Sequence, residues 1–207
     1  GMKLNRLPQM LKGLRRTMGD DSRRVRRGVS PQDLKRAMDK CLDPSNIVHA
    51  NIRAAVSLAF QGLLRGAEFA VDGKFNTRTD MTRADVASLS AQRLVVMMRP
   101  CKNMQHLTGK TVPLIIGAGG TLIDAVSEMA NLQRVDPVSA AEAPLTPMFR
   151  QEGGAALTTR RVREWTAALM ASINLDPSQF GAHSYRIGGA TALFAAGADP
   201  TIIRTMG

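Results

Sequence analysis

From Ser30 onward, apolar positions recur with the 3.6-residue period of a helix. Leu34, Ala37, Met38, Cys41 and Leu42 fall on one face. Ser30 suits the N-cap, Pro31 the first helical position, and Asp33 the positive end of the helix dipole. Asp43-Pro44 ends the run, because the residue before a proline is driven out of the helical region. A second helix is predicted from about Ser45 to Phe60, with Ile52, Ala55, Val56, Ala59 and Phe60 as its buried stripe. Gly62 breaks that pattern, and a further helical turn carries Leu64 to Ala70.

The period then changes. Arg93–Arg99 (RLVVMMR) and Thr111–Ile116 (TVPLII) are short, β-rich runs. Pro100, Asn103 and Gly109 between them suit a loop, so an antiparallel hairpin or small sheet with a long connection is expected. Helical pattern returns at Thr121–Leu132, and Pro137, Pro144 and Pro147 mark a loop. An amphipathic helix is predicted over Thr159–Ile173, with Val162, Trp165, Leu169 and Ile173 on one face. Another spans about Ile187–Ala196, closed by Gly197. Asp199-Pro200 opens a last helix that the sequence cuts at Gly207. So short a helix is marginal alone, which predicts C-terminal truncation. The fold class expected is mainly α with a small antiparallel β-sheet (α+β). Residues 1–29 read as a basic arm or linker, with a short helix near Leu7–Arg16. Residues 30–207 read as the domain.

Composition adds a partner. The net charge is +11, and residues 1–40 hold 12 Lys and Arg against 4 Asp. Arg23, Arg24, Arg26 and Arg27 form a dense run of the kind that lies along phosphates, so DNA contact is expected there. Cys41 and Cys101 are too far apart in sequence for a CxxC motif or a disulfide framework, which predicts a reducing, intracellular setting. No stretch approaches the apolar length of a membrane span, and no signal-peptide pattern is present. His49, His106 and His183 are dispersed without nearby ligand partners, so no metal or other cofactor is expected.

Three segments carry candidate chemistry. In Gly62-Leu63-Leu64-Arg65-Gly66-Ala67-Glu68, Arg65 and Glu68 share a helix face. Taken alone they make a surface ion pair worth little. They interrupt an apolar stretch from Ala54 to Ala70, however, where a charge is either paired and buried or aimed at a ligand. In Gly181-Ala182-His183-Ser184-Tyr185-Arg186-Ile187-Gly188-Gly189, His183 and Arg186 sit at a helix N-terminus, an anion site by its free N–H groups and dipole. In Arg99-Pro100-Cys101-Lys102-Asn103, a lysine follows the strand and can deliver a proton beside a phosphate. Lys110 is the alternative lysine. A competing reading rests on Ile115-Ile116-Gly117-Ala118-Gly119-Gly120-Thr121, a glycine loop between strand and helix. Its spacing is not GxGxxG, and no βαβ alternation surrounds it. As a small-molecule site it predicts a deep apolar pocket there and no convergence of Arg65, Lys102, His183 and Arg186.

Together the three segments resemble the tyrosine recombinase/phage-integrase family, in a mobile-element-like form. Arg65 with Glu68, then a hairpin Lys102, then His183-Ser-Tyr-Arg186 follow the family's order. The run from Ala192 to Gly197 and the tail from Ile202 to Gly207 are also similar, and the likeness covers about residues 45–207. The resemblance implies DNA recombination or integration, by strand cleavage and rejoining through a phosphotyrosyl intermediate. Arg65 and Arg186 would clamp the phosphate, and Glu68 would orient Arg65. Lys102 would protonate the leaving 5′-hydroxyl, and His183 would assist. The partner implied is double-stranded DNA, with self-association on it as a tetrameric synapse, and the location wherever DNA is: the nucleus, or a bacterial nucleoid. The family's next His or Trp and its nucleophilic Tyr would fall after Gly207. Tyr185, the single tyrosine, reads as a packing residue, so this chain alone is expected to bind DNA phosphate without cleaving it. The alternative is a non-catalytic DNA-binding protein or regulator on the same scaffold.

Overall fold

The structure, a computed structural model, describes residues 26–99, 111–119 and 122–206. Helix α1 (Pro31–Cys41) starts as expected. Ser30 accepts a hydrogen bond from the Asp33 N–H at 3.0 Å, and Leu34, Ala37 and Met38 are buried. Helix α2 (Ile47–Gln61) begins two residues later than the pattern suggests, capped by the Asn46 side chain on the His49 N–H. Every residue from Ala50 to Phe60 is buried, not one stripe. The reason is position: α2 is packed by helices on more than one side, so its polar residues are buried too and must be paired. The short helix α3 (Gly66–Phe69) follows.

The sheet is antiparallel, in the order β1 (Val86–Leu89), β2 (Arg93–Met98), β3 (Val112–Gly117). The β2–β3 hairpin matches the expectation, with Val95 opposite Ile115 and Val96 opposite Leu114. Leu94, Val96 and Met98 alternate inward. Strand β1 had no sequence signal: it has four residues and shifts register between Val86 and Ser88. Pro113 sits on β3, at a sheet edge, where its missing N–H is tolerated.

Helix α4 (Ala125–Val135) begins later than Thr121, because Asp124 accepts from the Val126 and Ser127 N–H groups and fixes the start. Helix α5 (Thr159–Ser172) is capped by Thr158. Val162 and Leu169 are fully buried, while Trp165 is half-buried with its ring edge against His49. Helix α6 (His183–Ala195) starts a full turn before Ile187, ending at Gly197 with φ +84°. Helix α7 (Pro200–Met206) follows Asp199. The described residues thus form a mainly helical fold with one small antiparallel sheet, as expected.

Residues 26–29, which the sequence assigned to the arm, lie against the body. The Arg27 N–H donates to the Gln179 carbonyl at 2.9 Å, the Val29 N–H donates to the Ser184 carbonyl at 3.0 Å, and Val29 is fully buried. Gly188 makes this possible: a Cβ there would sit 1.9 Å from the Val29 carbonyl oxygen. Residues 1–25, including the helix expected near Leu7–Arg16, lie outside the described residues.

Candidate active site

The site begins where α2 ends. Leu63 takes a left-handed conformation (φ 52°), and the Leu64 N–H returns to the Ala59 carbonyl at 3.0 Å. The chain then straightens at Arg65 (φ −78°, ψ 154°) and coils into α3. Glu68 reaches back and accepts from the Arg65 N–H at 2.7 Å and from its guanidinium at 3.0 Å. The Glu68 side chain is 10% exposed and that of Arg65 38%. One carboxylate therefore fixes both the backbone and the side chain of Arg65, and leaves part of the guanidinium facing solvent.

Helix α6 supplies the second half. Its N-terminus is braced by Ser184, which accepts from the Gly181 N–H at 3.1 Å. His183 is its first residue. One turn on, Arg186 donates from Nη1 to the Leu63 carbonyl at 2.8 Å, which brings it beside Arg65. The two segments are in close contact: a Cβ on Gly66 would meet the Ala182 Cβ at 3.1 Å. On Gly189 a Cβ would lie 2.0 Å from the Phe60 carbonyl oxygen and 2.7 Å from a Leu63 methyl. Only a glycine allows α6 this approach.

The electrostatics report the same convergence. Burial pushes the His183 imidazole below its ordinary value, and the charges of Arg186 and Arg65 push it further down. Arg186 is lowered by burial and by Arg65, against the opposing pull of Glu68. Arg65, Glu68, His183 and Arg186 therefore form one cluster, with more positive than negative charge, beside the N-terminus of a three-turn helix. By charge, donor count and dipole the arrangement suits an anion.

Lys102, and the alternative Lys110, lie outside the described residues, as do Arg23 and Arg24. Arg99, at the end of β2, is held by both Asp85 oxygens (3.1 and 2.9 Å), by the Thr82 hydroxyl at 3.1 Å and by the Thr77 carbonyl. It shares a small cleft, about 40 Å³, with Glu68 and Asp80. Arg26 donates to the Phe180 carbonyl and lies over Gly181, while Arg27 is exposed. Tyr185 is fully buried, with its hydroxyl 2.9 Å from Thr166 Oγ1, and burial pushes its pKa well up. It faces the core between α5 and α6, as a packing residue does. Among the described residues no cluster of His, Cys, Asp and Glu has the makings of a metal site. None of the described helices is long and apolar enough to cross a membrane.

The glycine loop meets one half of the small-molecule reading and not the other. Gly119 has φ +84°, and an apolar groove of about 390 Å³ does lie beside it, lined by Phe60, Ile115, Ile116, Ile123 and Leu193 among others. No charged side chain lines that groove, and the cationic cluster forms elsewhere.

Sequence reasoning missed a buried polar network centred on Asp136. Asp136 is bound by Arg83 at 2.7 Å, by the Asn51 amide at 3.1 Å and by Arg150 Nε at 3.1 Å, with a further Arg150 contact. Burial drives the Asp136 pKa up, but hydrogen bonds from Arg150 and Asn51 and the charge of Arg83 outweigh it and hold it below the ordinary value. Arg53 likewise grips Glu128 through Nε and Nη2, at 2.6–3.1 Å. Nothing in the spacing of these residues announces the pairs. The one available signal was Asn51 and Arg53 standing inside an apolar helix.

No family model matches the sequence, and no curated protein matches it. Solved structures do. The chain is similar to a site-specific recombinase, XerH, bound to its difH substrate in a pre-cleavage complex: TM-score 0.59, 16% identity, covering 88% of this chain and 47% of that one. It is similar in the same degree to XerH on palindromic difH in a post-cleavage complex, where 90% of this chain and 47% of that one are covered. The chain thus has a tyrosine recombinase-like fold, and it spans about half the length of the structures it matches.

Proposed function

We propose that this chain is the phosphate-binding core of a DNA recombinase or integrase. The observation that carries this is the bond from Arg186 to the Leu63 carbonyl, two residues before Arg65 and near enough for the two charges to interact, with His183 one turn before Arg186. Two guanidiniums suit the non-bridging oxygens of a phosphodiester, whose charge grows as the phosphorus is attacked. Glu68 holds Arg65 in place. His183, kept largely neutral at pH 7 by burial and its cationic neighbours, accepts or shares a proton at the phosphate. Lys102 is assigned the leaving 5′-oxygen, as general acid. Arg23, Arg24, Arg26 and Arg27 are assigned to flanking phosphates. Double-stranded DNA is the partner, and self-association on it belongs to the same reading.

Cleavage in this scheme needs a phenol, and Tyr185 does not offer one: its hydroxyl is buried against Thr166. The reading therefore takes the nucleophile to lie outside these 207 residues. The burial of Tyr185 also favours a second reading, a non-catalytic DNA-binding protein on the same scaffold.

Fluorescence anisotropy with a short duplex tests the binding claim. Arg65→Ala and Arg186→Ala should each weaken affinity by about tenfold and lower the salt slope by about one. A chain that does not bind duplex, or that binds equally well with both arginines removed, refutes it. A nicked suicide substrate tests the chemistry: the 207-residue chain should trap no covalent adduct, and an adduct would overturn the assignment of Tyr185. The same substrate with the full-length gene product separates enzyme from regulator.

A further inference from the structure

We infer that Leu63 is a positioning residue for the phosphate clamp, acting through its left-handed backbone. This rests on the phosphate-binding reading above. A leucine at φ 52° is uncommon, since its Cβ crowds the backbone there. The strain is held by the surrounding structure. Gly62 before it closes α2, with its N–H on the Leu58 carbonyl at 2.8 Å. Leu64 after it returns its N–H to Ala59. The Leu63 side chain is 1% exposed.

The turn has two outputs. The side chain is set against α6, so close that a Cβ on Gly189 would lie 2.7 Å from its methyl. The carbonyl is turned toward the same helix and accepts Arg186 Nη1 at 2.8 Å. The left-handed turn thus aims the carbonyl at the arginine of α6, while the side chain packs against that helix and contributes to stability. In an extended or right-handed conformation the carbonyl would be aimed elsewhere.

The choice of acceptor matters to the charge. Arg65 is oriented by a carboxylate, which offsets part of its charge. Arg186 is oriented by a carbonyl, which satisfies an N–H without pairing the charge directly, and Glu68 acts on it only from farther off. The site so acquires two fixed guanidiniums at the cost of only one neutralising group.

The test separates the turn from the packing. Leu63→Val keeps an apolar side chain, but a β-branched residue resists φ > 0. Leu63→Asn places a polar group in the core, yet Asn enters the left-handed region readily. Duplex affinity, measured by anisotropy, should fall about fivefold in Leu63→Val and stay within about twofold in Leu63→Asn, although Asn is the less stable by urea unfolding. If affinity follows stability instead, so that Asn binds more weakly than Val, the proposal is overturned. Should Leu63→Asn fail to fold, Leu63→Met takes its place, with affinity expected within about twofold of the parent. Combined with Arg186→Ala, Leu63→Val should add no further loss; an undiminished fivefold loss there would again overturn it. The side-chain NMR signal of Arg186 gives an independent readout, with guanidinium rotation slow in the parent and fast in Leu63→Val. Equal rotation in both refutes the positioning role. Failure of the parent reading looks different: Arg186→Ala alone would then leave duplex affinity unchanged.

Discussion

Replacing Gly189 by alanine asks how much of the site depends on one missing methyl group. A Cβ at position 189 would stand 2.0 Å from the Phe60 carbonyl oxygen. A carbon–oxygen contact settles no closer than about 3.3 Å, so α6 and the end of α2 must part by roughly 1 Å. The obstacle is backbone at the end of a fully packed helix, so it cannot swing aside as a side chain would. Such overpacking typically costs about 1–3 kcal/mol, and an obstacle that cannot move puts this site in the upper part, about 2–3 kcal/mol. Alanine returns about 1 kcal/mol as a better helix former, for a net loss of roughly 1–2 kcal/mol. With a urea slope near 2 kcal/mol/M, the unfolding midpoint should fall by about 0.5–1 M. The Arg186 bond to Leu63, at 2.8 Å, spans the same gap and should lengthen out of range, so duplex affinity should drop together with stability. Gly117→Ala is the control: nothing lies within 4 Å of its built Cβ. An unchanged or raised midpoint in Gly189→Ala, with normal affinity, would show that α6 does not approach α2 as described.

Two further outcomes follow from the charges. Asp136→Asn leaves Arg83 and Arg150 buried against a neutral partner and should cost about 3–5 kcal/mol, read as a fall in urea midpoint with no change in the salt slope of DNA binding; a cost below 1 kcal/mol would place the network in solvent. The His183 pKa in the folded chain lies below the ordinary 6.5, so the unfolded state takes up its proton first on acidification. Its contribution to stability is whole above pH 6.5 and is lost as the pH falls from there through the lower folded value. His183→Gln should flatten that part of the stability curve, and a parent curve already flat below pH 6.5 would contradict the burial of the imidazole.

How much the sequence disclosed depended on how local each signal was. The cap at Ser30, the stop at Gly197 and the β2–β3 hairpin are set by neighbours in the chain, and all were legible. Strand β1 was not, since four residues of VASL carry no period and their pairing comes from β2. The stripe drawn on α2 was too narrow because periodicity reports one buried face, while burial all round reads as plain hydrophobicity. The pairings of Asn51, Arg83 and Arg150 with Asp136 join residues 14 to 85 positions apart, which no local pattern encodes.

The candidate site divides along the same line, and the division bears on its mechanism. Arg65–Glu68 and His183–Arg186 were legible because each pair is three residues apart, although Arg65 is the extended cap before α3 and not a residue on its face. What joins the pairs was hidden: a carbonyl turned outward by a strained leucine, and a glycine that lets a helix in. Spacing could say that the two pairs exist, but not that they meet. Yet the meeting is what a phosphodiester requires, because one exposed arginine on a surface binds any anion weakly, while two held side by side can share its charged oxygens. Both arginines are immobilised before any ligand arrives, one by a carboxylate and one by a carbonyl, so little side-chain entropy remains to be lost on binding. That preorganisation is the physical ground for expecting changes that undo the turn at Leu63 or the close approach at Gly189, neither of which carries a charge, to be felt at the phosphate.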